Sequence, residues 1–346
     1  MTNMKVALHD GKGKMHIKEI SRPTLGERDA LIQVKSTGIC GSDLLNYAEN
    51  LTFEISPGGH EVSGEIVEVG KAVDSSRIGE RVAVETIGQG LNCKDCWFCR
   101  QGQFRQCSNK APNEGGGFAE YIKRRADGCY PISESMEWQE GALVEPLAVS
   151  IHGLRRGLIN SGDTVVVLGS GTIGLTAVAA ARAMGAGTIL VTSRHKHQAT
   201  MARALGADYT FSPDDDEFIA TVLEMTDGRG ADLTLETVGG SSQTILDQAI
   251  EVTRMQGRIS ILGGFHVPIT LDWMKPLLKE HTIYFSSCYS VINGRHDFEM
   301  AIDFLSSTLR SLNQIVTHTV SLEDIQRGFE IASDKTSGSI KVQILQ

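Results

Sequence analysis

Residues 164–175 read TVVVLGSGTIGL. Four apolar positions, Val165–Leu168, run into Gly169-Ser170-Gly171-Thr172-Ile173-Gly174 and then into an Ala-rich stretch. A bare GxGxxG carries little information. Between a buried strand and a helix it is the turn that holds a dinucleotide pyrophosphate. Gly169 permits the tight turn, Gly171 lets the backbone approach the phosphates, and Gly174 lets the helix pack on the strand. The N-terminus of that helix then presents N–H groups and positive dipole to the anion at Thr172 and Ile173. The alternative, a glycine-rich turn in some other α/β fold, does not account for the regular alternation of strands and helices downstream.

That alternation is explicit. Thr164–Leu168 reads as a strand and Thr172–Met184 as a helix. Thr188–Thr192 is a strand and Lys196–Leu205 a helix. Asp232–Glu236 is a strand, Ser242–Glu251 a helix, and Arg258–Leu262 a strand, with Thr282–Ser286 as a last one. This order predicts βαβ units in a doubly wound parallel sheet. GRISILGGFHVPITL (257–271) reads as the fifth strand, a Gly-Gly turn and an apolar extended segment, Val267–Leu271. An exposed apolar edge of that kind calls for a covering partner.

The end of the second strand bears on the nucleotide. TILVTSRHK (188–196) puts Ser193 about 20 residues past the fingerprint, where a carboxylate would bind the ribose 2′-hydroxyl of NAD. No carboxylate is there, and Arg194 comes next. A guanidinium pairs with a 2′-phosphate and stacks on adenine, so NADP(H) is expected over NAD(H). The competing reading makes Arg194, Lys196 and His197 a solvated helix start.

Upstream of residue 160 the style differs. MKVALHD (4–10), ALIQVKSTGI (30–39), EVSGEIVEVG (61–70) and ERVAVETIG (80–88) are short alternating runs punctuated by Gly and Pro. They predict an irregular β domain or small barrel. After Tyr289 the chain supplies one more helix, Phe298–Leu305, and a terminal strand, Ser339–Ile344. That tail is too short for a domain and is expected to return to the first one.

Seven cysteines need an explanation, and four of them form Cys93-x2-Cys96-x2-Cys99-x7-Cys107. Four thiolates close a tetrahedron around Zn2+ with no open position, which makes the site structural. An Fe–S cluster would use similar ligands, but the run lacks a final Cys-Pro. Four unligated thiols and a nucleic-acid zinc ribbon are the other readings. Further candidates are scattered: Cys40 in GICGSDLLNY, His60-Glu61 in PGGHEVSGEIVEVG, and Glu145 in LVEPLAVSIHG. Singly each has a bland explanation, and spacing alone does not join them.

The bulk properties set limits. A chain of 346 residues predicts two domains. A net charge of -9 disfavours nucleic acid as main partner. No apolar run approaches the ~20 residues of a membrane span. MTNMKVALHDGKGK has no signal-peptide core. A cytoplasmic protein with reduced thiols, no membrane partner and a small-molecule substrate is expected.

Taken in order, GICGSD, GGHEVSGEIVEVG, the four-Cys lobe, VEPLAVSIHG and VLGSGTIGL make the chain resemble the zinc-containing medium-chain dehydrogenase/reductase superfamily. The resemblance covers essentially residues 4–346. It implies a GroES-like catalytic domain (1–150, with a structural zinc lobe at 90–108), a Rossmann domain (151–288) and a return segment (289–346). Glu in EPL is similar to the polyol (sorbitol) and threonine dehydrogenase branch. The resemblance implies that Cys40, His60 and Glu145 surround a catalytic zinc, with Glu61 as an alternating or water-linked fourth group. It implies that Ser42 accepts the alcohol proton, that Thr237 and Leu262 join the fingerprint and Ser193–Arg194 at the cofactor, and that Asn46, Phe118 and Tyr289 lie near the substrate. It also implies two zinc ions per chain and a homodimer or homotetramer. Two positions depart from the pattern: Leu45 stands where many relatives carry a proton-relaying His, and Cys288 where sorbitol dehydrogenases carry an Arg. The reaction implied is hydride exchange between a secondary alcohol of a polyol, sugar derivative or amino alcohol and a nicotinamide. Competing readings are a zinc-free quinone or enoyl reductase and a non-catalytic nucleotide-binding relative.

Overall fold

The structure, a computed structural model, describes residues 3–10, 13–48, 57–215 and 217–346. The chain forms two compact units. One comprises Met1–Glu145, Ser290–Ser306 and Asn313–Gln346; the other comprises Pro146–Tyr289 and Ser307–Leu312.

The alternating runs of the first unit become a seven-stranded sheet. Its spatial order is Val316–Ser321, Lys341–Leu345, Asp29–Gly38, Glu61–Val69, Arg81–Glu85 and Cys129–Pro131, with Tyr121–Arg125 also paired to Asp29–Gly38. All pairs are antiparallel except the first. Alternation puts Ala30, Ile32, Val34, Val62, Ile66, Val82, Val84 and Ile122 into one apolar cluster. Antiparallel pairing also sets Glu61 opposite both Gly38 and Glu85. Sheet register thereby fixes one side of a metal-type cluster. The tail holds more than the two expected elements. Beyond the helix Asp297–Ser306 and the strand Lys341–Leu345, it contributes the strand Val316–Ser321 and the helix Ile325–Ser333. That helix buries Ile325, Gly328, Phe329 and Ala332, a single stripe at helical spacing.

The second unit is a six-stranded, wholly parallel sheet. Its order is Tyr209–Phe211, Thr188–Thr192, Thr164–Leu168, Ala231–Glu236, Thr253–Ile261 and Thr282–Phe285. In chain order this is 3-2-1-4-5-6, the doubly wound topology. The strand Tyr209–Phe211 and helix Glu217–Met225 lie between elements that the periodicity identifies. The fifth strand begins five residues before Arg258, because a register irregularity lets Thr253 pair with Ala231 before Arg258 pairs with Leu233. Val165, Val166, Val167 and Leu168 are fully buried, as befits a central parallel strand.

The apolar extended segment Val267–Leu271 joins no strand of the sheet: its Ile269 and Leu271 pack against the sheet's own apolar cluster, Val267 stays exposed, and the edge strand is Thr282–Phe285. Two glycines, Gly263 and Gly264, turn the chain off the sheet before the segment can pair. Phe265 makes only an isolated bridge to Gly240.

Candidate active site and nucleotide cleft

Cys40 leaves the strand Asp29–Gly38 and precedes the helix Gly41–Ala48. In the first turn of that helix Asp43 is buried, and its Oδ2 accepts the Cys40 N–H at 2.8 Å. This bond fixes the backbone carrying the thiol. The other oxygen of Asp43 lies 3.9 Å from His60 Nδ1. His60 immediately precedes, and Glu61 opens, the next strand, and the ligand atoms of Cys40, His60 and Glu61 all lie within 4.8 Å of one another. Thiolate, imidazole and carboxylate together are a zinc-type donor set.

Glu145 is buried in the first turn of the helix Val144–Arg156 but stands outside that 4.8 Å set. Burial pushes its carboxyl up to about 7, against the attraction of His60 and with the repulsion of Glu61. His60 itself is held well above the ordinary histidine range: burial opposes its charge, but Cys40, Asp43 and Glu145 outweigh it. Glu61 is tied down. Lys341 Nζ donates to both its oxygens at 2.7 Å and to the Ile39 carbonyl at 2.9 Å.

Ser42 is exposed in the first turn of that helix, two residues after Cys40. Asn46 and Phe118 line one cavity of about 120 Å3 with Asp43, His9 and Asn113. Phe118 is fully buried and packs edge-on against Phe329. Tyr289, also fully buried, belongs to the second unit.

The four-Cys lobe converges on a point. Cys93–Cys107, Cys93–Cys99 and Cys96–Cys107 sulfurs are 3.5, 4.0 and 3.9 Å apart. These distances are far beyond a disulfide bond. They match the ~3.8 Å edge of a tetrahedron with Zn–S bonds of about 2.3 Å. Backbone N–H groups of Cys99 and Ser108 pull the Cys96 thiol down to about 5, and those of Cys96 and Asp95 lower Cys93. The lobe therefore draws Cys96 toward thiolate and moves Cys93 in the same direction.

In the second unit the glycines do what the turn demands. Gly169 sits at φ +96°, a Cβ at Gly171 would meet open space, and one at Gly174 would collide with the Gly169 carbonyl. No side chain caps the helix Thr172–Ala183 at Gly171. Thr237 Oγ1 donates to the Leu168 carbonyl at 2.8 Å, locking the next loop to the turn. Leu262 is half-buried just past the fifth strand. Ser193 is buried at the end of the second strand, with its Oγ unpartnered among the described residues, and Arg194 beside it is exposed.

Residues 26–134 match the alcohol dehydrogenase GroES-like domain, and residues 172–307 match the zinc-binding dehydrogenase family. The sorbitol dehydrogenase of Bacillus subtilis (strain 168) is 32% identical over 99% of this chain and 97% of its own. The chain belongs to the zinc-containing medium-chain dehydrogenase/reductase family. This dehydrogenase is an oxidoreductase of the polyol branch. It is also 32% identical to the L-threonine 3-dehydrogenase of Pyrococcus horikoshii, over 93% of each chain. An alcohol dehydrogenase from Escherichia coli CFT073, solved with NADH, superposes with a TM-score of 0.88 at 26% identity over 100% of both chains. No helix among the described residues is long and apolar enough to cross a membrane.

Two residues of the dehydrogenase site escape a reading of the sequence. Asp43 lies inside the GICGSD motif, and its signal is a carboxylate three residues after a Cys at a helix start, where it caps a free N–H. Lys341 has no signal at all. It is a lone lysine 280 residues from Glu61, brought there by the return of the last strand.

Proposed function

We propose that this dehydrogenase exchanges a hydride between a secondary alcohol of a polyol, sugar derivative or amino alcohol and NADP(H). The convergence of Cys40, His60 and Glu61, with Glu145 buried beside them, carries this reading. Cys40, His60 and Glu145 would hold a catalytic zinc, with Glu61 as the alternating group because Lys341 occupies both its oxygens. Cys93, Cys96, Cys99 and Cys107 would hold a second, structural one. A bound catalytic zinc supplies Lewis acidity toward an alcohol or carbonyl oxygen.

The chain's own groups do the rest. Asp43 holds the Cys40 backbone by a hydrogen bond and sets its second oxygen 3.9 Å from the His60 ring. Ser42 is the acceptor for the alcohol proton. Leu45 offers no titratable relay at its own position, so the proton leaves by water or another group. At the cofactor end, Ser193 and Arg194 receive the 2′-phosphate.

Assembly is argued from an apolar surface on the second unit. Met255, Leu277, Leu278 and Phe285 are 66–73% exposed, and Phe285 ends the edge strand. We read this as the face of a homodimer, which pairs further in a tetramer. A monomer by light scattering at micromolar concentration overturns it.

The test of the function is a panel of polyols, aminocyclitols, sugar alcohols and amino alcohols with each nicotinamide, run on the wild type and on Cys40→Ser. Turnover on at least one alcohol, abolished in Cys40→Ser with dinucleotide binding retained, is the expected result. Full activity in Cys40→Ser overturns the zinc assignment, as does a preparation without zinc.

A further inference from the structure

Glu236 is a fully buried carboxylate with no part in the zinc or proton chemistry. It is the last residue of the fourth strand, opposite Leu168 at the end of the first and Ile261 at the end of the fifth. In a doubly wound sheet the ligand crevice opens outside the carboxyl ends of strands one and four, where the chain order reverses and the connections leave on opposite faces. Glu236 therefore stands at the floor of that crevice.

Its hydrogen bonds go to two loops. The side-chain Oε1 accepts the N–H groups of Val238 and Gly239 at 2.6 and 2.7 Å. Its backbone carbonyl accepts those of Leu262 and Gly263 at 2.8 and 3.2 Å. Oε2 lies against Gly263 so closely that a Cβ there would collide with it and with the Gly239 nitrogen. The loops are further joined by Gly240 N–H to the Gly264 carbonyl at 2.8 Å. The carboxylate thus holds loop 237–240 by hydrogen bonds and packs its second oxygen against Gly263, while the Glu236 backbone carbonyl holds 262–263.

These loops leave strands four and five. A dinucleotide whose pyrophosphate rests on the fingerprint helix, with its adenosine ribose at Ser193 over the second strand, must send its other half over strands four and five. We infer that Glu236 is a positioning residue for the nicotinamide half of the cofactor, clamping the two loops that receive it. The inference rests on the proposal that this cleft binds a dinucleotide. Oε1 accepts two N–H groups and Oε2 is buried against Gly263 with no hydrogen-bond partner among the described residues, so an amide in its place buries a new donor beside Gly263 or turns one toward the Val238 and Gly239 N–H groups.

The experiment compares Glu236→Gln and Gly263→Ala with wild type. The first alters the carboxylate, and the second pushes on it from the facing loop. Dissociation constants are measured by fluorescence for NADPH and NADH, and by competition for the 2′-phosphorylated and plain ADP-ribose fragments that lack nicotinamide. The expected result is that both variants weaken the intact dinucleotide by about tenfold or more, the scale of losing charged hydrogen bonds. The fragments should stay within about twofold of wild type. A general folding defect would weaken both classes together, and that outcome overturns the inference, as does undiminished binding of the intact dinucleotide. A wild type that binds neither class overturns the dinucleotide reading itself.

Discussion

Lys341, on the last strand of the chain, holds both carboxylate oxygens of Glu61 at 2.7 Å, with the two side chains almost wholly excluded from water. The pair sits at the edge of the metal-type cluster, where Cys40 and Glu145 add further negative charge. It binds the carboxyl-terminal strand to the head of the strand Glu61–Val69.

Breaking one side of such a pair leaves a buried charge uncompensated. Lys341→Met should lower stability by about 3–5 kcal/mol, read from urea unfolding. Glu61→Gln combined with Lys341→Met should recover most of that loss, since no buried charge then lacks a partner. A loss under about 1 kcal/mol in the single variant would mean that water reaches Glu61.

The lobe gives a second prediction. Cys96→Ser removes one corner of the tetrahedron and a thiol already drawn toward thiolate. Zinc content should fall by one ion per chain, and the melting temperature should drop, because structural zinc binding contributes directly to folding free energy. Unchanged zinc and unchanged melting would show that the four sulfurs hold no ion.

The strand end Thr188–Thr192 sets the third. An Asp at 193 would bind the ribose hydroxyls and repel a 2′-phosphate, and Ser193 offers instead a buried hydroxyl without a partner among the described residues. A guanidinium–phosphate contact from Arg194 belongs with charged hydrogen bonds, on the order of 10–150-fold in affinity. kcat/KM for NADP(H) should exceed that for NAD(H), Arg194→Ala should erase most of the difference, and Ser193→Asp should reverse it. Both cofactors are measured with one substrate at equal ionic strength; a wild type that prefers NAD(H) refutes the reading.

The fourth concerns acid. Asp232 accepts Arg254 Nε at 2.7 Å and the Thr164 N–H at 2.9 Å, tying the fourth strand to the first and fifth. Burial alone would raise its carboxyl, but Arg254 and Thr164 outweigh burial and hold it below the ordinary value of 3.8. A carboxyl depressed in the native state stabilises it above the unfolded value, and that contribution disappears as pH falls through the native one. Arg254→Ala should therefore cost about 0.5–1 kcal/mol at pH 7, and the gap to wild type should begin to narrow as pH falls below about 4. A gap that does not narrow at all in acid would point to packing rather than charge.

Much of the second unit is legible in the chain alone, because its signals are local. TVVVLGSGTIGL specifies strand, turn and helix within twelve consecutive residues, and each glycine answers a clash or a φ value created by its immediate neighbours. The four lobe cysteines are legible for the same reason: a tetrahedron of sulfurs closes over a short stretch of chain. Cys40, His60 and Glu145 are individually mute and become a set only through family resemblance. The meeting of Cys40 and His60 with Glu61 depends on the antiparallel register that sets Glu61 against Gly38, a contact between strands that no local pattern encodes. Tertiary structure alone decided the rest. It placed Lys341 on Glu61 from 280 residues away, separated Glu145 from the tightest ligand cluster, and packed Ile269 and Leu271 against the sheet's apolar cluster while Thr282–Phe285 took the edge. In each case the deciding quantity is burial. A lone lysine, a glutamate or an apolar run has the same local sequence signature whether it faces water or protein, and only the packed chain determines which.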